Sequence, residues 1–294
     1  MNLAAGERLP SMREIRDELE KKENRPLYEL VDVIAHNHAI ADTELDLLVN
    51  AYHLATYGHH GTKARKSGAK YISHVRKAAK MAAEHGATAR QVAKILCHDL
   101  LEKGKINGEA ITYRHLVGFV GRDIADSVAA NSISYWDGKT ERFMLPHEPG
   151  YRSGKTYLLT GSPRKRFRRF WERELNLQKR SASDHDALIS KFYDSLHNMQ
   201  TARHMPKEQA VKFYIKYKSR LAWMRVAARN HEFLKDKVQE YEATFREMED
   251  RLINQGKIAI KHVRIPVPYH KQPAVLRARA IALLQIHKLP FAVE

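Results

Sequence analysis

The chain has 294 residues, with 51 Lys+Arg against 34 Asp+Glu, a formal charge of +17 and 43% hydrophobic residues. This is the composition of one large or two small globular domains, and it excludes wholesale disorder. The lone Cys97 excludes an intramolecular disulfide framework and any multi-cysteine zinc site. No apolar run approaches the ~20 residues that span a bilayer. Glu7, Arg8 and Pro10 leave no room for the apolar core of a secretory signal, so a cytoplasmic protein with no membrane association is the expectation.

Helical signals dominate the chain. Ser11 is placed to cap a helix that starts at Met12, and Pro26 suits the first turn of the next, where Leu27, Leu30, Val31 and Ile34 recur at helical spacing. Residues 43–57 repeat the pattern with Leu45, Leu48, Val49, Tyr52 and Ala55 on one side. Further helices are predicted over 74–84, 88–102, 113–129, 184–203 and 208–249, the last as more than one. Residues 138–161 change character: Gly138, Pro146, Pro149, Gly150, Gly154 and Gly161 point to a long loop or insertion. Only 263–269 reads as β, and Pro266 and Pro268 make it an edge or an extended arm. An apolar helix over 275–286 is suited to docking on a partner subunit, which makes a homo-oligomer one of the expectations.

The excess positive charge draws anions: nucleic acid, acidic membranes or phosphate-rich small molecules. Its densest run is Arg164, Lys165, Arg166, Arg168 and Arg169, with Phe167, Phe170 and Trp171 interleaved. Such a run can grip nucleic-acid phosphates and stack bases. It reads equally well as a solvated helix face with an aromatic anchor.

Three segments carry candidate chemistry. His98 and Asp99 form an adjacent pair near the end of an apolar helix (Val92, Ile95, Leu96), where one imidazole nitrogen and one carboxylate oxygen can meet the same cation. Glu102 follows His98 by four residues and Asp99 by three, on the same helical face, within reach of a water on that cation. Histidines mixed with carboxylates suit Mn²⁺, Fe²⁺ or Zn²⁺ better than Ca²⁺. The plain alternative is a helix end where both side chains only hydrogen-bond. In the second segment Asp194, Asn198 and Thr201 stand at i, i+4 and i+7, one stripe of a helix. A carboxylate on a core-facing stripe is costly unless paired or metal-bound, although Asp194 could also pair with Lys191 on a wet face. The third segment puts Arg65, Lys66 and Ser67 before Gly68, with Tyr71 and His74 opening a helix. Arg65 can fork a phosphate or stack on a base, and Lys66 adds a point charge.

Taken together, the segments resemble the hydrolase domain of RelA/SpoT-type alarmone enzymes, a branch of the HD metal-dependent phosphohydrolases. The family pattern H-x-G-Q-x-R-x-S-G-x-x-Y-I-x-H, then H-D-x-x-E-D, then K-x-x-D-R-x-H-N-M-R-T is matched by residues 60–74, 98–103 and 191–201. The resemblance implies an all-α fold: an HD-domain helical bundle over 43–206 with a long basic insertion at about 137–183. An N-terminal helical extension (1–42) and a C-terminal helical extension and arm (207–294) would flank it.

It further implies that His74, His98, Asp99 and Asp194 ligate one divalent metal, usually Mn²⁺ and alternatively another divalent ion. Glu102 would orient or deprotonate the attacking water. Arg65, Lys66 and Ser67 would hold the guanine nucleotide, and Asn198 and Thr201 would contact its sugar and phosphates. The implied reaction is pyrophosphate release from the 3′ position of ppGpp or pppGpp. The chain departs from the pattern at Lys103, where the family has a second acid, and at Ser195 and Gln200, where it has arginines. These departures leave the expected ligands intact and open the substrate to ppApp or another nucleotide. A non-catalytic nucleic-acid-binding protein built on residues 164–169 is the reading from a different class.

Overall fold

The structure, a computed structural model, describes residues 25–65, 67–137, 142–149, 151 and 163–258, excluding the side chains of Trp136, Asp137, 163–171, Glu208 and Lys212. The helix expected at Met12, the arm at 263–269 and the helix at 275–286 lie outside the described residues. The fold is all-α, as expected from the periodicity. It divides into two compact units: the described part of Met1–Thr156 with Ser183–Asp194, and that of Tyr157–Ala182 with Ser195–Glu294.

In the first unit, α1 (Arg25–Asn37) has Pro26 in its first turn and buries Leu27, Leu30 and Ile34, one stripe at i, i+3 and i+7. α2 (Asp42–Gly58) carries Asp42 and Glu44 in its first turn, where the helix dipole favours acids. α3 (Tyr71–Glu84) buries Ala78, Ala79, Ala82 and Ala83, small side chains that allow close helix approach. α4 (Ala89–Cys97) starts at a reciprocal cap between Thr88 and Gln91. Both α2 and α3 pack against α4, and α1 packs against α3.

The continuous helix predicted over 88–102 is broken: α4 ends at Cys97 and a single turn, α5 (Leu100–Lys103), follows. The helix predicted over 113–129 is also two, α6 (Tyr113–Val120) and α7 (Arg122–Asn131). Gly121 between them sits at φ 83°, a left-handed conformation that interrupts a helix and suits glycine. Two antiparallel hairpins interrupt the helices as well: β1 (Lys105–Ile106) with β2 (Glu109–Ala110), and β3 (Tyr135–Asp137) with β4 (Arg142–Met144). The sequence reading had placed no strand in either region.

α5 seats against the end of α2 at one glycine, Gly58, and ends at another, Gly104. A Cβ on Gly58 would stand 2.8 Å from Leu100 Cδ2, and one on Gly104 would stand 2.6 Å from the Leu100 carbonyl oxygen. Lys94 is buried within the unit. Its ammonium lies 2.8 Å from Asp123 on α7 and 2.6 Å from Asp186 on α9 (His185–Gln200).

The second unit contains α8 (Pro163–Ser183), which makes the later part of the expected insertion helical, and α10 (Lys207–Arg229) and α11 (Val238–Asn254). The last two divide the 208–249 segment, as the sequence suggested. Tyr217 and Met224 on the first and Tyr241, Phe245 and Leu252 on the second are buried, and the Tyr214 hydroxyl donates to Glu249 at 2.6 Å. Glu174 on α8 and Arg220 on α10 form a buried pair at 2.5 Å. Among the described residues, no helix is long and apolar enough to cross a membrane.

Candidate metal centre

The break between α4 and α5 creates the site. The His98 amide bonds to the Ile95 carbonyl at 3.3 Å, a tightened i→i−3 turn, and the His98 ring Nδ1–H donates to the same carbonyl at 2.7 Å. Asp99 then adopts φ −103° and ψ 0°, the sparsely allowed bridge region frequent at active sites, before α5 restarts the ladder. Because Nδ1 carries its proton toward Ile95, the lone pair of His98 sits on Nε2.

That nitrogen is buried without a hydrogen-bond partner. It lies 3.4 Å from Asp99 Oδ2 and 3.6 Å from Asp194 Oδ1. His74, from the first turns of α3, brings its Nε2 to 3.2 Å from the same Asp194 Oδ1. One ligand atom each from His74, His98 and Asp99 lies within 4.8 Å of the others. Ligand atoms around one cation with bonds of about 2.1 Å stand about 3.0–3.4 Å apart. A buried lone pair facing two carboxylate oxygens calls for a cation, so the residues present fit a divalent ion.

Without a metal, a proton can fill that role. Burial opposes the charged form of His98, but the Asp99 charge and the contact to Asp194 outweigh it and hold its pKa at about 10. His74 is driven the other way by burial, to about 4, although Asp194 opposes the shift. Burial would raise both carboxylates. Lys103 and His98 instead hold Asp99 well below the usual range, and Lys191, His74 and His98 do the same for Asp194.

Among the other expected residues, Arg65 lies near enough that its charge presses on His74. It closes a turn through Gly68, accepting the Gly68 amide at 2.9 Å, and Ser67 stands exposed in that turn. Lys66 lies outside the described residues, as do the side chains of Arg164, Lys165, Arg166, Arg168 and Arg169. Glu102 is half-buried, and its Oε1 accepts the Ile133 amide at 2.8 Å. Asn198 and Thr201 belong to the second unit. Thr201 falls one residue past the end of α9, and its hydroxyl donates to the His197 carbonyl at 3.0 Å.

Three neighbours stand beside the expected residues. The Tyr71 hydroxyl donates to Asp99 Oδ2, and Lys103 donates to both that hydroxyl and Asp99 Oδ2, the latter at 2.9 Å. The i, i+4 spacing of Asp99 and Lys103 was the available signal. His59, rather than the exposed His60, turns inward: its ring lies 4.9 Å from that of Tyr71, and both its nitrogens are buried without a hydrogen-bond partner. Lys191 does pair with Asp194, at 3.3 Å, but both side chains are buried, so the wet-face alternative does not describe the pair. No protein-family model matches this chain, and no curated protein matches it either.

Proposed function

We propose that the protein is a metal-dependent phosphohydrolase of the HD type, acting on a (p)ppGpp-like nucleotide and releasing pyrophosphate from its 3′ position. The observation that carries this reading is the unpartnered His98 Nε2, 3.4 and 3.6 Å from oxygens of two carboxylates that come from different parts of the chain. His74, His98, Asp99 and Asp194 would hold the ion, Mn²⁺ or another divalent metal. When bound, that ion acidifies a coordinated water and polarises a phosphoryl oxygen.

The chain's own residues supply the rest. Ile95 fixes the His98 tautomer, and Lys191 holds Asp194 Oδ2 so that Oδ1 stays toward both imidazoles. Arg65, beside His74, takes a phosphate or the base. Ile133 anchors Glu102 through Oε1, and Glu102 Oε2 takes the proton from the attacking water. The three ordered motifs of the sequence support the alarmone branch. Lys103 on Asp99 supports a second reading, hydrolysis of a different phosphorylated nucleotide such as ppApp, because the edge of the site carries an ammonium there.

The test is incubation of the Mn²⁺-loaded protein with ppGpp, pppGpp, ppApp and ordinary nucleoside triphosphates, with chromatographic separation of products. Pyrophosphate with GDP or GTP is the expected outcome. Release from ppApp alone selects the second reading, and no hydrolysis of any of them overturns both.

A further inference from the structure

The two carboxylates of the centre are held by lysines in different ways. Asp194 divides its oxygens: Oδ1 lies 3.2 and 3.6 Å from the two imidazole nitrogens, while Oδ2 lies 3.3 Å from Lys191. On Asp99 one oxygen serves both sides. Its Oδ2 is the atom 3.4 Å from His98 Nε2, and the same atom accepts from Tyr71 and from Lys103 at 2.9 Å. A cation approaching His98 and Asp99 Oδ2 therefore meets the Lys103 ammonium on the oxygen it needs. Lys191, on the outer oxygen of Asp194, stands in no such conflict.

An ammonium has three donors. Two on Lys103 go to Tyr71 and Asp99, and its side chain is 40% exposed where that of Asp99 is 10% exposed. Lys103 thus carries its ammonium to the buried carboxylate on a partly exposed side chain and keeps a third donor for an incoming anion. We propose that Lys103 is a phosphate-binding side chain that leaves Asp99 when a phosphoryl anion binds, so that a divalent cation and the anion bind this centre cooperatively.

The proposal rests on the metal-centre reading above. The anion, a phosphate monoester or the terminal phosphoryl group of a nucleotide, makes charge-assisted hydrogen bonds to the ammonium and releases Asp99 Oδ2 for the metal. The coupling is reciprocal: each ligand tightens the other by the same factor.

The experiment measures Mn²⁺ binding by the electron paramagnetic resonance of the free ion, with and without saturating phenyl phosphate, a monoester that chelates manganese weakly. The full chain is compared with Lys103→Met and Lys103→Arg. The wild type is expected to bind Mn²⁺ about tenfold tighter or more with the anion present. Lys103→Met is expected to bind Mn²⁺ more tightly than wild type without the anion and to gain little from it, and Lys103→Arg to retain the coupling. Mn²⁺ binding that phenyl phosphate leaves unchanged in the wild type, or coupling that persists in Lys103→Met, overturns the role of Lys103 alone. Absence of Mn²⁺ binding to all three proteins, with or without anion, overturns the metal centre and this proposal with it.

Discussion

His98 donates its Nδ1–H to the carbonyl of Ile95 at 2.7 Å, and this bond turns the opposite face of the ring toward Asp99 and Asp194. A backbone group of α4, rather than another side chain, therefore sets which nitrogen is offered to a ligand.

Asp99 and Glu102 are expected to fail differently. Asp99→Ala removes a proposed ligand and should abolish Mn²⁺ retention and hydrolysis together. Glu102→Gln keeps a side-chain oxygen for the Ile133 amide, so the fold and the metal should survive while turnover falls by about 10²–10⁴-fold. Metal analysis after gel filtration, set beside product chromatography, separates the two outcomes. Wild-type turnover in Glu102→Gln removes Glu102 from the mechanism.

Glu174 and Arg220 are almost fully buried, so removing one partner strands the other charge. Glu174→Gln or Arg220→Met is expected to cost about 3–5 kcal/mol in urea unfolding, and a double replacement by apolar residues of similar volume much less. Burial raises the pKa of Glu174, but Arg220, with Lys216 and Arg173 behind it, prevails and holds it at about 2 against an ordinary 4.5. A lowered carboxylate pKa stabilises the fold above 4.5, and that contribution is lost as the pH falls toward 2. The acid limb of the stability curve should flatten in the apolar double variant.

His59 gives a second acid response. Burial is the main cause that holds its imidazole neutral down to about pH 3, whereas the unfolded chain takes up the proton near 6.5. Stability should therefore fall as pH drops below 6.5, by up to about 1.4 kcal/mol per pH unit from this residue. His59→Leu should remove that slope relative to wild type. Parallel stability curves for the two proteins between pH 6 and pH 4, inside the interval between the two pKa values, refute the assignment.

Gly104→Ala brings a methyl group to 2.6 Å from the Leu100 carbonyl oxygen. Backbone has to move, so a loss of about 1–3 kcal/mol is expected, read from the urea midpoint. Gly108→Ala, with open space around it but a φ of 88°, serves as a control in which strain acts without a clash.

Most helices were legible because their apolar stripes repeat: Leu27, Leu30 and Ile34 mark the buried side of α1 in the sequence and in the structure alike. The four polar residues of the candidate centre were legible because motif spacing brought them forward. The break at His98 was not, since Cys97-His98-Asp99-Leu100 contains neither glycine nor proline, and the chain turns there through a side chain capturing its own helix carbonyl. The β1–β2 hairpin had a local signal in Asn107-Gly108, both at positive φ, yet strands of two residues are too short for alternation to show. Which of His59 and His60 faces inward is decided by where α2 ends, and periodicity does not fix a helix end to one residue.

Lys94 lies one turn before His98 on one helix, and its partner Asp186 lies about two turns before Asp194 on another. That interior ion pair works as a rivet: it sets the separation of the two rods on which opposite walls of the centre are mounted. The spacing of the two carboxylate- and imidazole-bearing rods is thereby set by the scaffold before any ion arrives.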